Sequence, residues 1–251
     1  MVLKKTPREL ERQRSASKVV AGVLNKVGQV ICSGMSTFDL DIIAESECKA
    51  LGGIPSFKGL YGFPSSACIS VNEEVIHGIP CKDKILKDGD LVSFDFGAFK
   101  SGFHGDSART YIVGGENKAS DEAQKLVKVT RDALMKGIQA CILGNRVGDI
   151  GYAINSHVSE NGFSVVKKYV GHGIGKSVHE DPAVPNYSNS GTGIKLSEGM
   201  VLAIEPMVNA GTFDVKVLRD KWTVVTADGS LSAHFEHTVA VTANGPEILT
   251  I

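Results

Sequence analysis

Features of exported or membrane-bound proteins are missing from this sequence. No apolar run approaches the roughly 20 residues that a membrane helix needs. The first fifteen residues carry Lys4, Lys5, Arg8, Glu9, Glu11, Arg12 and Arg14 with no apolar segment behind them, so neither a span nor a secretory signal is expected. An excess of one charge sign is also missing. The 27 Lys+Arg against 28 Asp+Glu leave a net charge of −1, which gives no broad attraction to nucleic acid or to a membrane surface. The five cysteines, Cys32, Cys48, Cys68, Cys81 and Cys141, are odd in number and never spaced C-x-x-C. That argues against a disulfide framework and a structural zinc finger, and makes a reducing cytoplasm the expected location. No G-x-S-x-G elbow and no Walker loop occurs, and the glycine-rich "GHGIG" at 171–175 lacks the G-x-G-x-x-G spacing of a dinucleotide site.

What is present is a chain of 251 residues with 42% apolar and 22% charged side chains, enough to bury a substantial core. Thr6-Pro7-Arg8-Glu9 reads as a capping box with proline at the first helical position, followed by Val20, Val23, Leu24, Val27, Val30 and Ile31 at helical spacing. A second helix is expected after Ser36, with Asp39 three residues on, ending at Gly52-Gly53. Strands are expected at 67–71, 91–96 and 108–113. The order then recurs, with a helix after Ser120, a shorter one from about Asp149 to Gly162, and strands near 163–170, 200–205 and 235–242.

The recurrence has a fixed offset of 110 residues. Gly34 and Gly144, Asp39 and Asp149, Gly52 and Gly162, and Gly89 and Gly199 all obey it. The segment "KDGDLVSFDF" (87–96) lies over "SEGMVLAIEP" (197–206), each a turn glycine and an apolar strand closing on an acid, Asp95 in one and Glu205 in the other. Duplication about an approximate two-fold axis follows. With no Pro/Gly/Ser linker between the halves, one domain over 1–251 is expected, made of halves at about 5–115 and 116–251.

A carboxylate inside an apolar strand is costly unless paired or bound to metal. Besides Asp95 and Glu205, Asp106 opens "DSARTYIV" and Glu236 opens "EHTVAVT", so each half offers two acids in what look like mirrored places. Any one of them alone reads equally as an edge residue facing water. Four meeting at a two-fold axis would require neutralising cations, and two divalent ions would serve. His172, flanked by glycines that permit close backbone approach, would complete an oxygen-rich donor set better suited to Mn, Fe(II) or Co than to a closed zinc site. His77 in "EEVIHGIP" and His179 in "KSVHEDP" flank tight turns and are candidate functional groups, each also readable as a plain loop histidine. His104, His157, His234 and His237 read as structural or solvated.

In the order Asp95, Asp106, His172, Glu205, Glu236 and in the contexts "NEEVIHGIP" (72–80), "VSFDFGA" (92–98), "GDSART" (105–110), "GHGIG" (171–175), "AIEP" (203–206) and "FEHTV" (235–239), the chain resembles the methionine aminopeptidases of the short type I form, from about residue 5 to 250. The resemblance implies the α+β pita-bread fold, two αβ halves related by a pseudo-two-fold, and metal-dependent removal of an amino-terminal methionine that precedes a small residue. It implies two divalent ions, Co, Mn, Fe(II) or Zn, with Asp95 on one, His172 and Glu205 on the other, and Asp106 and Glu236 bridging. It makes Glu205 the proton shuttle, His179 the partner of the carbonyl oxygen and His77 that of the scissile nitrogen. Tyr61, Phe63, Cys68 and Trp222 would form the methionine pocket. The implied partners are the amino termini of peptides and nascent proteins, a docked ribosome being left open, and the implied state is a monomer. Two rivals share the fold: a proline-specific peptidase, and a pita-bread protein that has lost catalysis and binds partners.

Overall fold

The structure is a computed structural model, and it describes residues 2–251. Four helices carry the repeat. Helix α1 spans Pro7–Val30, α2 Thr37–Ala50, α3 Asp121–Ala140 and α4 Val147–Glu160. Both ends of α2 recur in α4 after 110 residues, and the last residue of α1 recurs in α3.

Local chemistry sets these boundaries. At α1 the Glu9 N–H donates to Thr6 Oγ1 (3.3 Å) while the Thr6 N–H donates to Glu9 Oε2 (3.0 Å), and Pro7 occupies the first turn, where its missing N–H costs nothing. Ser36 and Asp39 form the same reciprocal cap on α2. Asp149 accepts from the Arg146 N–H at the start of α4 (2.7 Å). Gly34 and Gly144 turn the chain between paired helices at φ 89° and 95°, values that favour glycine.

The sheets repeat too. The long strand Leu91–Lys100 pairs with Phe103–Ile112, Cys68–Val71 and Ile54–Pro55, and its second-half counterpart Val201–Ile204 pairs with His237–Thr242 and Gly171–Gly173. Ile54 faces Phe99 in one half; Ser164 faces Asn209 in the other, both shifted by 110. Isolated bridges Ser36↔Ile85 and Arg146↔Lys195 obey the same shift. The strand expected over 163–170 is only Ser164–Val165. Beyond it, Lys167 leaves the sheet and lies 3.9 Å from the ring centre of Phe213 and 4.6 Å from that of Tyr187.

Helix α1 covers the first sheet through Val19, Val20, Val23, Leu24 and Val27, which meet Phe94, Phe96 and Ile69. Helices α3 and α4 cover the second through Leu126, Leu134, Ile138, Ile150 and Ile154, a cluster that also takes in Leu91 of the first half. The inner strands of the halves are stitched together. The Glu236 N–H donates to Ala108 O (2.9 Å), the Asp106 N–H donates to Thr238 Oγ1 (3.0 Å), and the Thr238 hydroxyl donates back to Asp106 O (2.7 Å). Backbone hydrogen bonds thus fix the very residues that carry acids. No helix among the described residues is long and apolar enough to cross a membrane.

Candidate metal centre and substrate pocket

Asp95 stands in register with Cys68 on one side and Ala108 on the other, and Asp106 stands opposite Gly97. Side chains two apart share a face of a strand, so Asp95 and Asp106 are diagonal neighbours on one face. A Cβ at Gly97 would come within 2.8 Å of the Phe57 ring, so the bare glycine lets that ring close the floor beside the acids. Glu205 ends the Val201–Ile204 strand, and His172 lies in register with Ala203 within it. The glycines flanking His172 are required sterically. A Cβ at Gly171 would sit 2.3 Å from Ala203 O, and one at Gly173 2.2 Å from Asp181 O.

The pairing corrects one expectation. Asp95 and Glu205 are true mirror positions, but Asp106 and Glu236 are not. Met207, which repeats Gly97, stands opposite His234 rather than Glu236. Glu236 instead takes the place of Ala108, opposite the strand's terminal acid. The four carboxylates still line one cavity.

One ligand atom from each of Asp106, His172 and Glu236 falls within 4.8 Å of the others. His172 Nε2 is 3.5 Å from Glu205 Oε1. Its Nδ1 lies 2.9 Å from Gly173 O, which holds the proton on Nδ1 and leaves the Nε2 lone pair facing the acids. Asp95 Oδ1, Asp106 Oδ1 and Glu236 Oε1 are buried with no hydrogen-bond partner among the described residues. Buried acceptors are almost always satisfied, so three orphaned carboxylate oxygens beside an imidazole lone pair fit divalent cations well. His234, which the sequence suggested was structural, is a buried neighbour of this centre, its Nε2 3.8 Å from Glu205 Oε2 and otherwise without a partner among the described residues.

The electrostatics agree. Burial raises the carboxyl of Asp95 to about 7, with Asp106 donating to it when protonated. Burial, then the charges of Asp95 and Glu205, push Asp106 well up; burial and Asp95 do the same to Glu205; burial with Asp106, Glu205 and Asp95 does so to Glu236. Histidine shifts the other way. Burial lowers His77 and His172 to about 4 and His234 to about 3, each helped by a neighbouring histidine, and burial alone lowers His179.

These shifts fix how metal-free protein responds to pH. A carboxyl whose folded pKa is raised contributes stability at low pH that is lost as pH rises through that folded pKa. The histidines oppose this only between about 3 and 6.5, where their lowered pKa values make stability rise with pH. Above 6.5 the carboxyls act alone. Chelated protein is therefore expected to melt at falling temperature from pH 6.5 to 8, by about 1.4 kcal/mol per pH unit for each proton retained only by the folded state, roughly 2–4 °C per kcal/mol. Metal-replete protein should lose this slope, and calorimetry that found the same slope in both forms would contradict the cation site.

Against the acids lies a cavity of about 270 Å³, walled by Phe57, Leu60, Tyr61, Phe63, Cys68 and Trp222. Phe63 meets Trp222 edge-on at 5.2 Å between ring centres, and Val178 and Ile79 pack behind them. Phe57, Leu60 and Ile79 were not singled out in the sequence, where nothing distinguishes them from core residues. Burial, then the charges of Asp95 and Asp106, keep the Cys68 thiol protonated. Tyr61 is 76% exposed at the mouth and stacks on His179 at 5.9 Å. His77 takes φ 59°, and a Cβ at the next residue, Gly78, would lie 2.2 Å from Ile69 O, so the turn is pressed onto the Cys68–Val71 strand and aims His77 at the cavity. The structure thus brings the candidate site residues to one cavity: Asp95, Asp106, His172, Glu205 and Glu236 together with His77 and His179, Phe63, Cys68 and Trp222 in the wall and Tyr61 at the rim.

Residues 11–243 match the profile of metallopeptidase family M24. The methionine aminopeptidase 1 of Bacillus subtilis (strain 168) is 52% identical over 250 residues, covering 100% of this chain and 99% of that protein. The chain belongs to metallopeptidase family M24. The methionine aminopeptidase of Escherichia coli K12 is 42% identical, across 98% of this chain and 93% of that one. The crystal structure of the methionine aminopeptidase from Thermotoga maritima superposes with a TM-score of 0.97 at 48% identity, covering 100% and 99% of the two chains. The prolidase from Pyrococcus furiosus shares the fold at a TM-score of 0.79 and 22% identity, this chain spanning 65% of it. The resemblance read from the sequence thus stands, as does the pita-bread fold. M24 membership makes the chain a metal-dependent hydrolase, and the acid cluster is its candidate metal site.

Proposed function

We propose that this M24 enzyme removes methionine from the amino terminus of peptides and nascent proteins, with a small residue second. The observation that carries the reading is the junction of an apolar cavity of about 270 Å³ with four acids and His172 at its base. Such a volume, which includes the space over the acids, lies just below the usual range of ligand pockets, about 300–1,000 Å³, and suits one side chain. Phe63 and Trp222 offer ring surfaces to a thioether, a favourable sulfur–aromatic pairing, beside the neutral Cys68 thiol. A second cleft opens from Glu205 and His172 past His77, Tyr169, Asp181 and Ala183 and gives the remaining peptide its way out. Tyr169 and Trp222 crowd His77, at 6.0 and 6.4 Å between ring centres, which supports a small second residue.

Two divalent ions, Co, Mn, Fe(II) or Zn, held by Asp95, Asp106, His172, Glu205 and Glu236, would supply Lewis-acid activation of water and carbonyl. Glu205, whose proton affinity burial raises, takes the proton of the attacking water and passes it to the leaving nitrogen. His179, kept neutral by burial, donates a hydrogen bond to the carbonyl oxygen as charge develops there. His77, neutral for the same reason, contacts the scissile amide nitrogen. Residues 1–251 act as one catalytic domain, since both halves supply donors, and as a monomer each chain holds a full set. The five free thiols suit a reducing cytoplasm.

A paired assay tests the reading. Met-Ala-Ser should be cleaved after methionine, and an X-Pro peptide should not; cleavage of the proline peptide alone would reject it. Phe63→Ala should lower kcat/KM for Met-Ala-Ser about 10- to 100-fold, mostly through KM, because one lost wall contact is worth about 1–3 kcal/mol. An unchanged KM would remove Phe63 from the pocket.

A further inference from the structure

Among the described residues the His179 ring makes no hydrogen bond. Its neighbours are the rings of His172, 4.5 Å away between centres, and of Tyr61, at 5.9 Å. The backbone beneath it therefore decides where the ring sits. That backbone is the turn from Gly175 to Glu180, joining the strands Gly171–Gly173 and Glu180–Val184.

The turn is braced from inside and outside. Within it the Gly175 N–H donates to Ser177 O (3.0 Å) and the Ser177 N–H donates to Glu180 Oε1 (3.2 Å). The other oxygen of Glu180 accepts from Lys5 Nζ at 2.8 Å, and the two side chains are only 5% and 7% exposed. Lys5 is itself anchored, its N–H donating to Gly199 O at 2.7 Å. The surroundings are cleared for it. A Cβ at Gly175 would lie 2.7 Å from Lys5 Nζ and 2.6 Å from Glu180 Oε1, and one at Gly199 would lie 2.7 Å from Lys5 O. A solvated ion pair contributes little, whereas a buried one cannot lose a partner without leaving an uncompensated charge. Here that charge would sit on the residue next to His179.

We propose that Lys5, acting through Glu180, is a positioning residue for His179, so that the segment ahead of α1 belongs to the support of the reacting centre. This rests on the reading of His179 as the donor to the carbonyl oxygen. Misplacing a reacting group by about 1 Å costs up to roughly 10²-fold in rate, so the effect belongs in kcat. The pair spans 175 positions and joins the amino-terminal segment to a turn of the second half.

The experiment is a double-mutant cycle on the full-length, metal-replete enzyme with Met-Ala-Ser. Lys5→Met should lower kcat about 10- to 100-fold, with KM within about threefold and bound metal unchanged. In a His179→Ala background the same change should alter kcat by less than about twofold, since a residue acting through another loses its effect when that other is gone. Lys5→Arg, which keeps the charge, should retain more turnover than Lys5→Met. In metal-free protein the imidazole NMR signals of His179 should shift in Lys5→Met while those of His157, on α4, stay put. If Lys5→Met alone prevents folding, Lys5→Met with Glu180→Gln removes both charges and is measured in its place. An equal loss of kcat in both backgrounds, or no loss in either, overturns the coupling. A His179→Ala enzyme with full turnover overturns instead the role of His179, and the two failures are told apart by that single variant.

Discussion

Asp106→Asn is expected to lower kcat/KM on Met-Ala-Ser by roughly 10³-fold or more, because it removes a charge that the cations need and no neighbour can replace. Asp106 is 3% exposed, and its Oδ1 faces the centre with no partner among the described residues. The substitution keeps the shape of the side chain, and the backbone ties of Asp106 to Thr238 do not involve it. The fold should therefore persist. Metal stoichiometry of anaerobically purified protein should fall below that of the unaltered enzyme. Metal-free Asp106→Asn should also melt higher at pH 8 than metal-free unaltered protein, since one acid that must hold a proton against burial and the charge of Asp95 is gone. Full activity with full metal content would refute the assignment of Asp106.

The same residue marks how far the sequence could be read. A carboxyl within an apolar strand stands out because its burial is costly, so Asp95, Asp106, Glu205 and Glu236 were recognisable, as were four helices whose capping signals lie within three residues of one another. The offset of 110 was equally legible, being carried by glycines at positive φ. What stayed hidden depends on pairing between distant strands. The stagger that puts His234 opposite Met207, and so breaks the mirror between Asp106 and Glu236, is a property of register across the sheet. Short strands such as Glu74–Ile76 and Val215–Val217 have three residues each, too few for a period, and exist because Val224–Thr226 lies between them. Phe57 and Leu60 are cavity residues only through the way distant segments pack, Gly97 leaving room for the Phe57 ring; as letters they are core. The Lys5–Glu180 pair joins the amino-terminal segment to the second half, and no local pattern announces it.

His179→Ala is expected to cost about 10²–10³ in kcat, the usual loss when one donor to a developing oxyanion is removed, with KM changed far less. The asymmetry follows from when the bond matters. A neutral carbonyl oxygen in the bound substrate gains little from a donor, while the tetrahedral oxyanion gains much, so the interaction is felt in the transition state. His179 is suited to this because burial lowers its pKa and so favours the neutral ring, which has an N–H to give. It follows that the acid limb of the kcat profile should not move when His179 is replaced by a permanently neutral donor such as asparagine, and His179→Asn should recover part of the turnover lost in His179→Ala. Stability should barely respond, since the ring makes no hydrogen bond among the described residues and its ring contacts are with His172 and Tyr61. A rise in KM with kcat intact would turn His179 into a residue that merely binds the ground state, and the carbonyl oxygen would then need its donor from elsewhere in the cavity, with His77 the nearest candidate on the same rim.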